Sequence, residues 1–364
     1  MAYNTFYYNQ EFTLENGHTL PCYHLAYHTY GVLNKAGDNA VWVFHALTAN
    51  SDVTTWWPGL VGEGMLLDPR KYFIVCVNMP GSCYGSIGPL DKIPGTEETF
   101  YHRFPFFTTR DMVRAYQPLK DFLGIIKVHI GIGGSMGGQQ LLEWAIEEPE
   151  LFEHIVPIAT NAYHSAWAKA FNASQRWCIE ADKSWNEENE NAGIEGMKIA
   201  RSVALISYRH YQTYEVYQAE DNAELLQGYR SESYQKYQGE KLAKRFNAFS
   251  YYKLLQSMDS HHIGRKRGNS INAMQQITAK TLIIGIRSDV LFPTVEQQYL
   301  AINIPGAQLS LIDSIYGHDG FLLAAEPITS SISTFLKQKY YKESFLPNKN
   351  GADSKLLSKK QELN

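Results

Sequence analysis

Short, continuous runs of apolar residues recur along the first half of the chain and again near its end. Each run has the length of a buried β-strand and is followed by glycine or polar residues: 40–44, 72–77, 128–132, 154–159, 280–286 and 308–312. Runs that are apolar on both faces are typical of a parallel sheet covered by helices. The pattern therefore predicts an α/β protein whose chemistry lies in the loops at the carboxyl ends of the strands.

Helical spacing of apolar residues marks two other regions. Residues 108–123 carry apolar side chains three or four positions apart, which predicts a helix leading into the strand at 128–132. Pro118 lies inside this helix and is a candidate position for a kink. From about residue 165 to residue 258 the chain is polar and aromatic, with helical spacing and no convincing strand. We interpret this segment as a helical insertion above the strand ends.

These patterns divide the chain into four parts. Residues 1–164 and 266–340 are predicted to form the two halves of the α/β core, and residues 165–265 a helical lid inserted between them. Residues 341–364 are rich in Lys, Asn and Ser and are expected to form a flexible tail.

Composition and charge narrow the class of protein. Of the 364 residues 44% are hydrophobic, enough for a sizeable core, and the net charge of −4 gives no reason to expect nucleic acid as a partner. The N-terminus lacks the basic and apolar regions of a signal peptide, and no apolar run is long enough to cross a membrane. We therefore expect a cytoplasmic protein. The four cysteines lie far apart without a C-x-x-C pair, so neither a disulfide framework nor a metal site is expected.

A glycine cluster follows the third apolar run and surrounds one serine. The sequence GGSMG, residues 133–137, has Ser135 at its centre and stands between a predicted strand and a predicted helix that begins at Met136. Such a turn holds the serine hydroxyl above the sheet edge, with the positive end of the helix dipole beneath it. A G-x-S-x-G sequence also occurs in plain turns, so the role of the serine depends on its partners.

Two residues stand where a nucleophilic serine needs them. In α/β-hydrolases the chain order is nucleophile, acid and histidine, and the last two lie on loops after late strands. Asp289 follows the run at 280–286, and His318 follows the run at 308–312. The serine needs a base to accept its proton, and that base needs a carboxylate to orient it. The order predicts a catalytic triad of Ser135, His318 and Asp289 in an α/β-hydrolase fold.

An oxyanion hole needs two backbone N–H groups, one after the nucleophile and one after an early strand. We predict that these belong to Met136 and, in the sequence HALTAN after the run at 40–44, to Leu47. His45 begins the same loop, where a structural hydrogen bond suits it better than catalysis.

Several longer sequences around these residues resemble one family of acyltransferases. They are HALTAN, NMPGSCYGSIGP, FTTRDMV, GGSMGGQQLLEWA, SDVLFP and GHDGFL, and they extend from about Phe44 to Leu322. In order and spacing the chain resembles the homoserine O-acetyltransferase group of α/β-hydrolase-fold enzymes. The resemblance implies that Ser135 takes an acetyl group from acetyl-CoA and that the hydroxyl of L-homoserine, deprotonated by His318, removes it. It also implies a role in methionine biosynthesis, with acetyl-CoA as co-substrate and no permanently bound cofactor.

The resemblance further implies residues that bind the amino acid. The family uses an Arg and a Tyr seven residues apart in the insertion and the Asp after the catalytic histidine, which correspond here to Arg201, Tyr208 and Asp319. Arg201 is expected to hold the carboxylate of the substrate and Asp319 its ammonium group. For Arg201 a solvated helix face is the alternative. A lid that narrows access would also keep water from the acyl-enzyme.

Donor, acceptor and assembly stay open at the level of sequence. The loops after the first two strands depart from the family pattern at Ala49 and at residues 79–82. Succinyl-CoA as donor, L-serine as acceptor, plain ester hydrolysis and a catalytically silent scaffold are therefore kept as alternatives. The basic turn at residues 265–267 is either a contact for CoA phosphates or a solvated surface.

Family homologues are dimers through their insertions, so the resemblance implies a homodimer. A stripe of tyrosines in the insertion either joins that interface or packs internally: Tyr208, Tyr211, Tyr214 and Tyr217.

Overall fold

The chain folds around a large sheet with helices on both faces, and a computed structural model describes residues 3–337. The strands of this part are β1 (Asn4–Tyr8), β2 (Phe12–Thr13), β3 (Thr19–Leu20), β4 (Tyr23–Tyr30), β5 (Ala40–Phe44), β6 (Phe73–Val77), β7 (Val128–Gly134), β8 (Phe152–Ile158), β9 (Lys280–Ile286) and β10 (Gln308–Ile312). The α-helices are α1 (Val53–Trp56), α2 (Thr109–Phe122), α3 (Met136–Glu147), α4 (Ala166–Glu180), α5 (Ile194–Tyr208), α6 (Tyr211–Gln218), α7 (Arg230–Ala243), α8 (Ala248–Asp259), α9 (Ser270–Met274), α10 (Thr294–Asn303), α11 (Gly320–Leu323) and α12 (Ala325–Lys337). The tail predicted at 341–364 lies outside the described residues.

Eight strands form one sheet in the order β1-β4-β6-β5-β7-β8-β9-β10, and β2 pairs with β3 separately. From β6 onward in this order the strands run parallel, whereas β4 pairs antiparallel with both β1 and β6. All six apolar runs of the sequence are strands of the parallel part, and their bounds differ from the predicted ones by at most two residues. The predicted α/β architecture is confirmed.

The sequence pattern does not predict the four N-terminal strands. The sequence of β4, YHLAYHTY, mixes polar and aromatic residues, and most of β1 is exposed or only partly buried. Of these strands, β1 and β4 form the antiparallel edge of the large sheet, where polar side chains can face solvent, whereas β2 and β3 form a separate two-stranded sheet. A search for continuous apolar runs therefore misses them.

The core lies in two layers because side chains alternate across a strand. Along β5, Ala40, Trp42 and Phe44 belong to the layer that contains α2 and α3, while Val41 and Val43 belong to the layer that contains α12. All five side chains are buried. A strand covered on both faces is held firmly in place, so the loops at its carboxyl end start from a fixed position.

Helix α2 begins with a capping box and packs against α3. The Thr108 side chain accepts the N–H of Asp111 at 3.1 Å, and the Asp111 side chain accepts the N–H of Thr108 at 2.9 Å. The helix continues through Pro118. Four apolar side chains of α3 are buried in the core: Leu141, Leu142, Trp144 and Ala145.

A cluster of ion pairs joins α2, α3, the N-terminal segment and the turn after α8. Arg110 lies between Glu15 and Glu143, at 2.9 and 3.1 Å, and these three side chains are at most 5% exposed. Arg265 pairs with Glu15, and Arg267 pairs with Glu143. Buried carboxylates require such partners. The sequence predicts that the basic turn is either a contact for CoA phosphates or a solvated surface. Both expectations are wrong for Arg265 and Arg267, because these side chains neutralise carboxylates within the fold.

Helices α4 to α8 occupy the chain between β8 and β9, in the region where the sequence predicts an insertion. Helix α5 packs against α4, α7 and α8, and it also contacts the short 3-10 segment Gly317–Asp319 after β10. The insertion therefore lies close to the loop that carries His318. Within residues 3–337, no helix is long and apolar enough to cross a membrane.

The tyrosines of the insertion do not form one continuous stripe. Helix α5 ends at Tyr208 and α6 begins at Tyr211, so the two lie on different helices. Tyr208 lines a pocket, Tyr211 is 70% exposed, and Tyr214 hydrogen-bonds Gln235 of α7. A break of the helix after Tyr208 is the reason that the three-residue spacing does not produce a single surface.

Candidate active site

The serine turn between β7 and α3 is a sharp, strained corner. Ser135 has φ 57° and ψ −126°, a conformation that costs about 1–3 kcal/mol for a residue with a Cβ. Its N–H donates to the Ile158 carbonyl, and its own carbonyl accepts from Thr160 Oγ1 at 2.8 Å. A Cβ at position Gly137 would lie 2.1 Å from the Phe44 carbonyl oxygen, so glycine is needed there. Hydrogen bonds on both sides of the serine thus hold the strained backbone in place.

The structure brings Ser135, His318 and Asp289 together in one hydrogen-bonded line. His318 Nε2 lies 2.8 Å from Ser135 Oγ, and His318 Nδ1 lies 2.7 Å from Asp289 Oδ2. Because a carboxylate can only accept, Nδ1 carries the proton and Nε2 accepts from the serine hydroxyl. The backbone N–H groups of Leu291 and Phe292 both donate to Asp289 Oδ1 at 2.9 Å, which fixes the carboxylate. The ring is thereby held in the tautomer that a general base needs.

The surroundings of His318 make it a stronger base than a free imidazole. Burial lowers its pKa, but the charge of Asp289 and the hydrogen bond to it, with smaller effects of Asp319 and Glu296, outweigh burial and raise the pKa above the ordinary value. The ring also stacks on Phe292, with 4.9 Å between ring centroids. Without the charge of Asp289, burial would dominate and the shift would change sign.

A further carboxyl group, Glu296 of α10, lies behind the triad. Burial raises the pKa of Glu296 to about 7, against hydrogen bonds from Asn161 and Ser165 that lower it. Asn161 Nδ2 donates to Glu296 Oε2 at 3.0 Å, and Gln139 of α3 donates to Asn161 Oδ1 at 3.0 Å. No sequence signal points to Glu296, because its neighbours in the network come from distant elements.

Of the two residues predicted to supply the oxyanion hole, Met136 directly follows Ser135 and Leu47 lines the pocket that contains Ser135. Met136 is the first residue of α3, so its N–H has no partner within the helix. Leu47 lines the same pocket as Ser135, and its N–H donates to no backbone acceptor in residues 3–337. The geometry therefore leaves both donors available to an oxygen held near Ser135.

His45 holds the loop that carries Leu47. Its Nε2 accepts the N–H of Met79 at 3.1 Å, and its Nδ1 donates to the Ala46 carbonyl at 2.9 Å. Burial lowers the pKa of His45 to about 4, so the ring is neutral, as this bonding pattern requires. The predicted structural hydrogen bond of His45 is confirmed.

Ser135 opens into a pocket of about 430 Å³ between the strand ends and the insertion, and the three residues expected to bind an amino acid all line it: Arg201, Tyr208 and Asp319. The guanidinium carbon of Arg201 lies 5.3 Å from the centroid of the Tyr208 ring, and that ring lies 5.7 Å from the ring of His318. Seven residues make about two helical turns, so α5 presents Arg201 and Tyr208 on one face. Arg201 thus lies on the pocket side of its helix.

Sequence reasoning misses a second arginine of the pocket, Arg209. Its Nε lies 3.0 Å from Asp319 Oδ2, and the two side chains are only 20% and 13% exposed. The pair fixes the Asp319 carboxylate against the pocket wall. Arg209 belongs to no motif in the sequence, and only the end of α5 at Tyr208 directs it towards the site.

The wall opposite the serine loop also escapes sequence reasoning. It is supplied by α7 and the residues just after it: Gln238, Lys241, Leu242 and Arg245. Their spacing of three and four is ordinary for a helix face. Nothing in that spacing distinguishes a face that lines a site from one that meets solvent.

Together these groups suit nucleophilic acyl transfer. The serine hydroxyl has a base within hydrogen-bonding distance, the base has a carboxylate that orients it, and two N–H groups can stabilise an oxyanion. The pocket wall adds an arginine and a carboxylate, which can recognise a ligand with charges of both signs.

Comparisons with known proteins agree with this geometry. Residues 39–325 match the family model described as alpha/beta hydrolase fold. A homoserine O-acetyltransferase from Cyclobacterium marinum is 42% identical over 335 residues, which are 92% of this chain and 95% of the relative. The crystal structure of homoserine O-acetyltransferase from Bacillus anthracis is 22% identical with a TM-score of 0.85, over 93% of this chain and 99% of that one. An acetylester hydrolase from Corynebacterium glutamicum is 23% identical with a TM-score of 0.80, over 92% and 95% of the two chains. At these identities, the two structural likenesses concern the fold alone.

Proposed function

Because the chain belongs to the homoserine O-acetyltransferase family of α/β-hydrolase-fold acyltransferases, we propose that it transfers an acetyl group from acetyl-CoA to the hydroxyl of L-homoserine. The supporting observation is that the line of Ser135, His318 and Asp289 opens into a pocket whose wall contains both an arginine and a carboxylate. A free amino acid carries one charge of each sign and needs both partners, whereas a simple ester needs neither.

In the first half of the proposed reaction, Ser135 Oγ attacks the thioester carbon while His318 Nε2 accepts the hydroxyl proton. The resulting oxyanion lies between the N–H groups of Leu47 and Met136. The C–S bond then breaks, and the thiolate leaves as CoA thiol with the proton from His318. The products of this half are acetyl-Ser135 and free CoA.

In the second half, His318 takes the proton of the homoserine hydroxyl, and the alkoxide oxygen attacks the acetyl carbon. The bond to Ser135 Oγ breaks, and His318 returns the proton to the serine. CoA leaves before L-homoserine reacts with the covalent acetyl-Ser135 intermediate, so the kinetics are ping-pong.

Recognition of the acceptor depends on α5 and the loop after β10. Arg201 forms a fork for the carboxylate of homoserine, and Asp319 accepts hydrogen bonds from its ammonium group. Tyr208 lies between Arg201 and His318 and holds the arginine over the face of its ring. The Arg209 partner orients the Asp319 carboxylate.

Free thiol release from acetyl-CoA, with and without L-homoserine, tests the proposal. We expect L-homoserine to accelerate thiol release and mass spectrometry to find the acetyl group on the peptide that contains Ser135. Replacing the donor by succinyl-CoA and the acceptor by L-serine separates those alternatives. Thiol release that no hydroxy amino acid changes would contradict acyl transfer.

A plain esterase is the second candidate, because the same line of Ser135, His318 and Asp289 can pass the acetyl group to water. In that case water takes the acetyl group. The esterase predicts steady turnover of an aryl acetate that L-homoserine does not divert to an O-acetyl product. A scaffold without activity predicts that a fluorophosphonate does not label Ser135.

We expect Arg201→Ala to lower kcat/KM for L-homoserine about 10²-fold, because it removes a charged partner of the carboxylate. Acetylation of Ser135 by acetyl-CoA in a single turnover should change much less. Arg201→Lys keeps the charge but cannot form two parallel hydrogen bonds to a carboxylate, so its kcat/KM for L-homoserine should lie between the values of the parent and of Arg201→Ala. Equal losses in both half-reactions would contradict this role for Arg201.

The pH profile of acylation should have an acid limb above the ordinary histidine pKa. The neutral ring of His318 is the active form, and its raised pKa means that activity falls as the pH drops through that value. In Asp289→Asn the limb should shift to lower pH, since burial then lowers the pKa of His318, and the plateau should also fall. The profile is read from kcat/KM for acetyl-CoA.

Glu296→Gln is the matched control, since burial raises the pKa of Glu296 to about 7 and its titration could also produce an acid limb. Glutamine keeps the size of the side chain, so we expect the limb to persist with a small shift to lower pH. Disappearance of the limb in Glu296→Gln would assign it to Glu296 and contradict its assignment to His318.

A homodimer through the insertion is also part of the proposal. Large apolar side chains of α5 and α6 are more than half exposed: Ile199, Ile206, Tyr211, Val216 and Tyr217. Exposed apolar groups on neighbouring helices favour an interface. Light scattering should give the mass of two chains. A place in methionine biosynthesis and in the cytoplasm belongs to the same proposal.

A further inference from the structure

We propose that Lys241 and Arg245, at the mouth of the pocket, bind the diphosphate group of an acyl-CoA, an inference that rests on the proposed function. Lys241 is in the last turn of α7, and Arg245 follows the end of the helix. Both line the pocket that contains Ser135, and both are exposed. They face the loop after β5, where Thr48 and Asn50 line the opposite side.

The charge of the pocket differs from that of the whole chain. The net charge of the chain is −4, but the charged residues of the lining are four cations and one carboxylate: Arg201, Arg209, Lys241, Arg245 and Asp319. A zwitterionic amino acid brings no net charge, so it does not account for this excess. Acyl-CoA carries several negative charges on its phosphates and fits such a field.

Unlike Arg209, which pairs with Asp319, Lys241 and Arg245 have no ion-pair partner in the described part of the chain. No carboxylate of residues 3–337 lies within 4.0 Å of either, and Lys241 has no hydrogen bond there. Arg245 uses Nη1 for two neutral acceptors, the Thr48 carbonyl and the Tyr84 hydroxyl. Its Nε and Nη2 have no hydrogen-bond acceptor within residues 3–337, and they suit the oxygens of a phosphate.

The size of the pocket places the phosphates at its mouth. A volume of about 430 Å³ lies in the lower part of the range of small-ligand sites, roughly 300–1,000 Å³. The acetyl end and part of the pantetheine arm can enter, while the nucleotide stays outside. The cations at the mouth are then the groups that the diphosphate meets.

Arg245 also ties the insertion to the serine side of the pocket. The carbonyl that it holds belongs to Thr48, directly after Leu47, whose N–H is proposed for the oxyanion hole. A phosphate bound to Arg245 would therefore rest on the same side chain that positions this loop. For this reason Lys241, which has no hydrogen-bond or ion-pair partner among the described residues, is the better residue to test.

A cation at a helix C-terminus also stabilises the helix dipole, and this is the alternative role of Lys241. Lys244 caps the same helix and is exposed, but it does not line the pocket. Lys244→Ala is therefore the matched control. It removes the same charge from the same helix end without touching the site.

The experiment compares acetyl-CoA with S-acetyl-N-acetylcysteamine, a neutral thioester without phosphates, as acyl donors. We expect the ratio of kcat/KM for acetyl-CoA to that for the neutral thioester to fall about tenfold in Lys241→Ala, the effect of one charged hydrogen bond. Lys244→Ala should keep the ratio of the parent. Added salt should lower the parent ratio and have less effect in Lys241→Ala.

Calorimetric titration with free CoA separates this inference from the proposed function. About tenfold weaker binding to Lys241→Ala supports the subsite even if the parent transfers no acetyl group to an amino acid. If the parent transfers acetyl groups but Lys241→Ala keeps the parent's ratio of kcat/KM for the two donors, the phosphate subsite is overturned and the proposed function still holds. Equal losses of CoA affinity in Lys241→Ala and Lys244→Ala also overturn the subsite, because they indicate an effect of general surface charge. A parent that neither binds CoA nor uses acetyl-CoA overturns both.

Discussion

Ser135→Ala should lower acetyl transfer by about 10⁴-fold or more, the loss typical of removing a serine nucleophile. The hydroxyl of Ser135 lies 2.8 Å from its base and forms the covalent intermediate in the proposed reaction, so alanine leaves no route through an acyl-enzyme. The rate of thiol release from acetyl-CoA with L-homoserine measures the loss. Mass spectrometry of the variant should find no acetyl group on the peptide that contains position 135.

Ser174→Ala is the matched control for this prediction. The Ser174 hydroxyl donates to the Ala170 carbonyl of its own helix and is exposed, so its removal should leave the rate unchanged. Ser174→Ala should unfold thermally like the parent, because its hydroxyl is exposed, whereas Ser135→Ala leaves the buried His318 Nε2 without its hydrogen-bond partner; thermal unfolding of both variants shows whether each is still folded. Full turnover by Ser135→Ala would contradict every enzymatic role proposed for this chain.

The second large effect concerns stability. Arg110→Ala should lower the free energy of unfolding by about 3–5 kcal/mol, the usual cost of removing one partner from a buried ion pair. Arg110 is 3% exposed, and its partners Glu15 and Glu143 are 5% and 0% exposed. Alanine would leave Glu143 with Arg267 as its remaining cation. The shift of the midpoint in a urea titration measures the effect.

Arg287→Ala provides the comparison for an exposed pair. Arg287 Nε lies 3.2 Å from Asp313 Oδ1, but both side chains are mostly exposed. The loss in the free energy of unfolding should therefore stay below about 1 kcal/mol. The double variant Arg110→Ala with Glu143→Gln should lose less stability than the sum of the single losses, because the orphaned carboxylate is neutralised. Strictly additive losses would show that Arg110 acts by packing and not through Glu143.

The site shows how far sequence reasoning extends. Ser135, Asp289 and His318 could be placed because each follows a recognisable apolar strand, and parallel strands end at the same edge of a sheet. Arg209 and Glu296 could not be placed in this way. Arg209 meets Asp319 only because α5 ends beside the loop after β10, and burial, which no local pattern records, raises the pKa of Glu296.

Cations were the residues for which sequence was least informative. The turn with Arg265 and Arg267 looks like a free basic surface, yet both side chains pair with carboxylates. Lys241 and Arg245 stand in an ordinary helical pattern, yet they line the pocket. Charge along a sequence says nothing about partners, because an arginine reaches carboxylates that are distant in the chain, as Arg265 and Glu15 do.

By itself, the sequence determined the parallel strands, the strained serine corner and the order of the triad. These features follow from local patterns: apolar runs that must be buried on both faces, glycines where the backbone closes on itself, and polar residues directly after strands. Tertiary structure alone decided which charged side chains neutralise one another and which line the pocket. The physical reason is that ion pairs form across the fold, between elements whose contact depends on packing and not on local pattern.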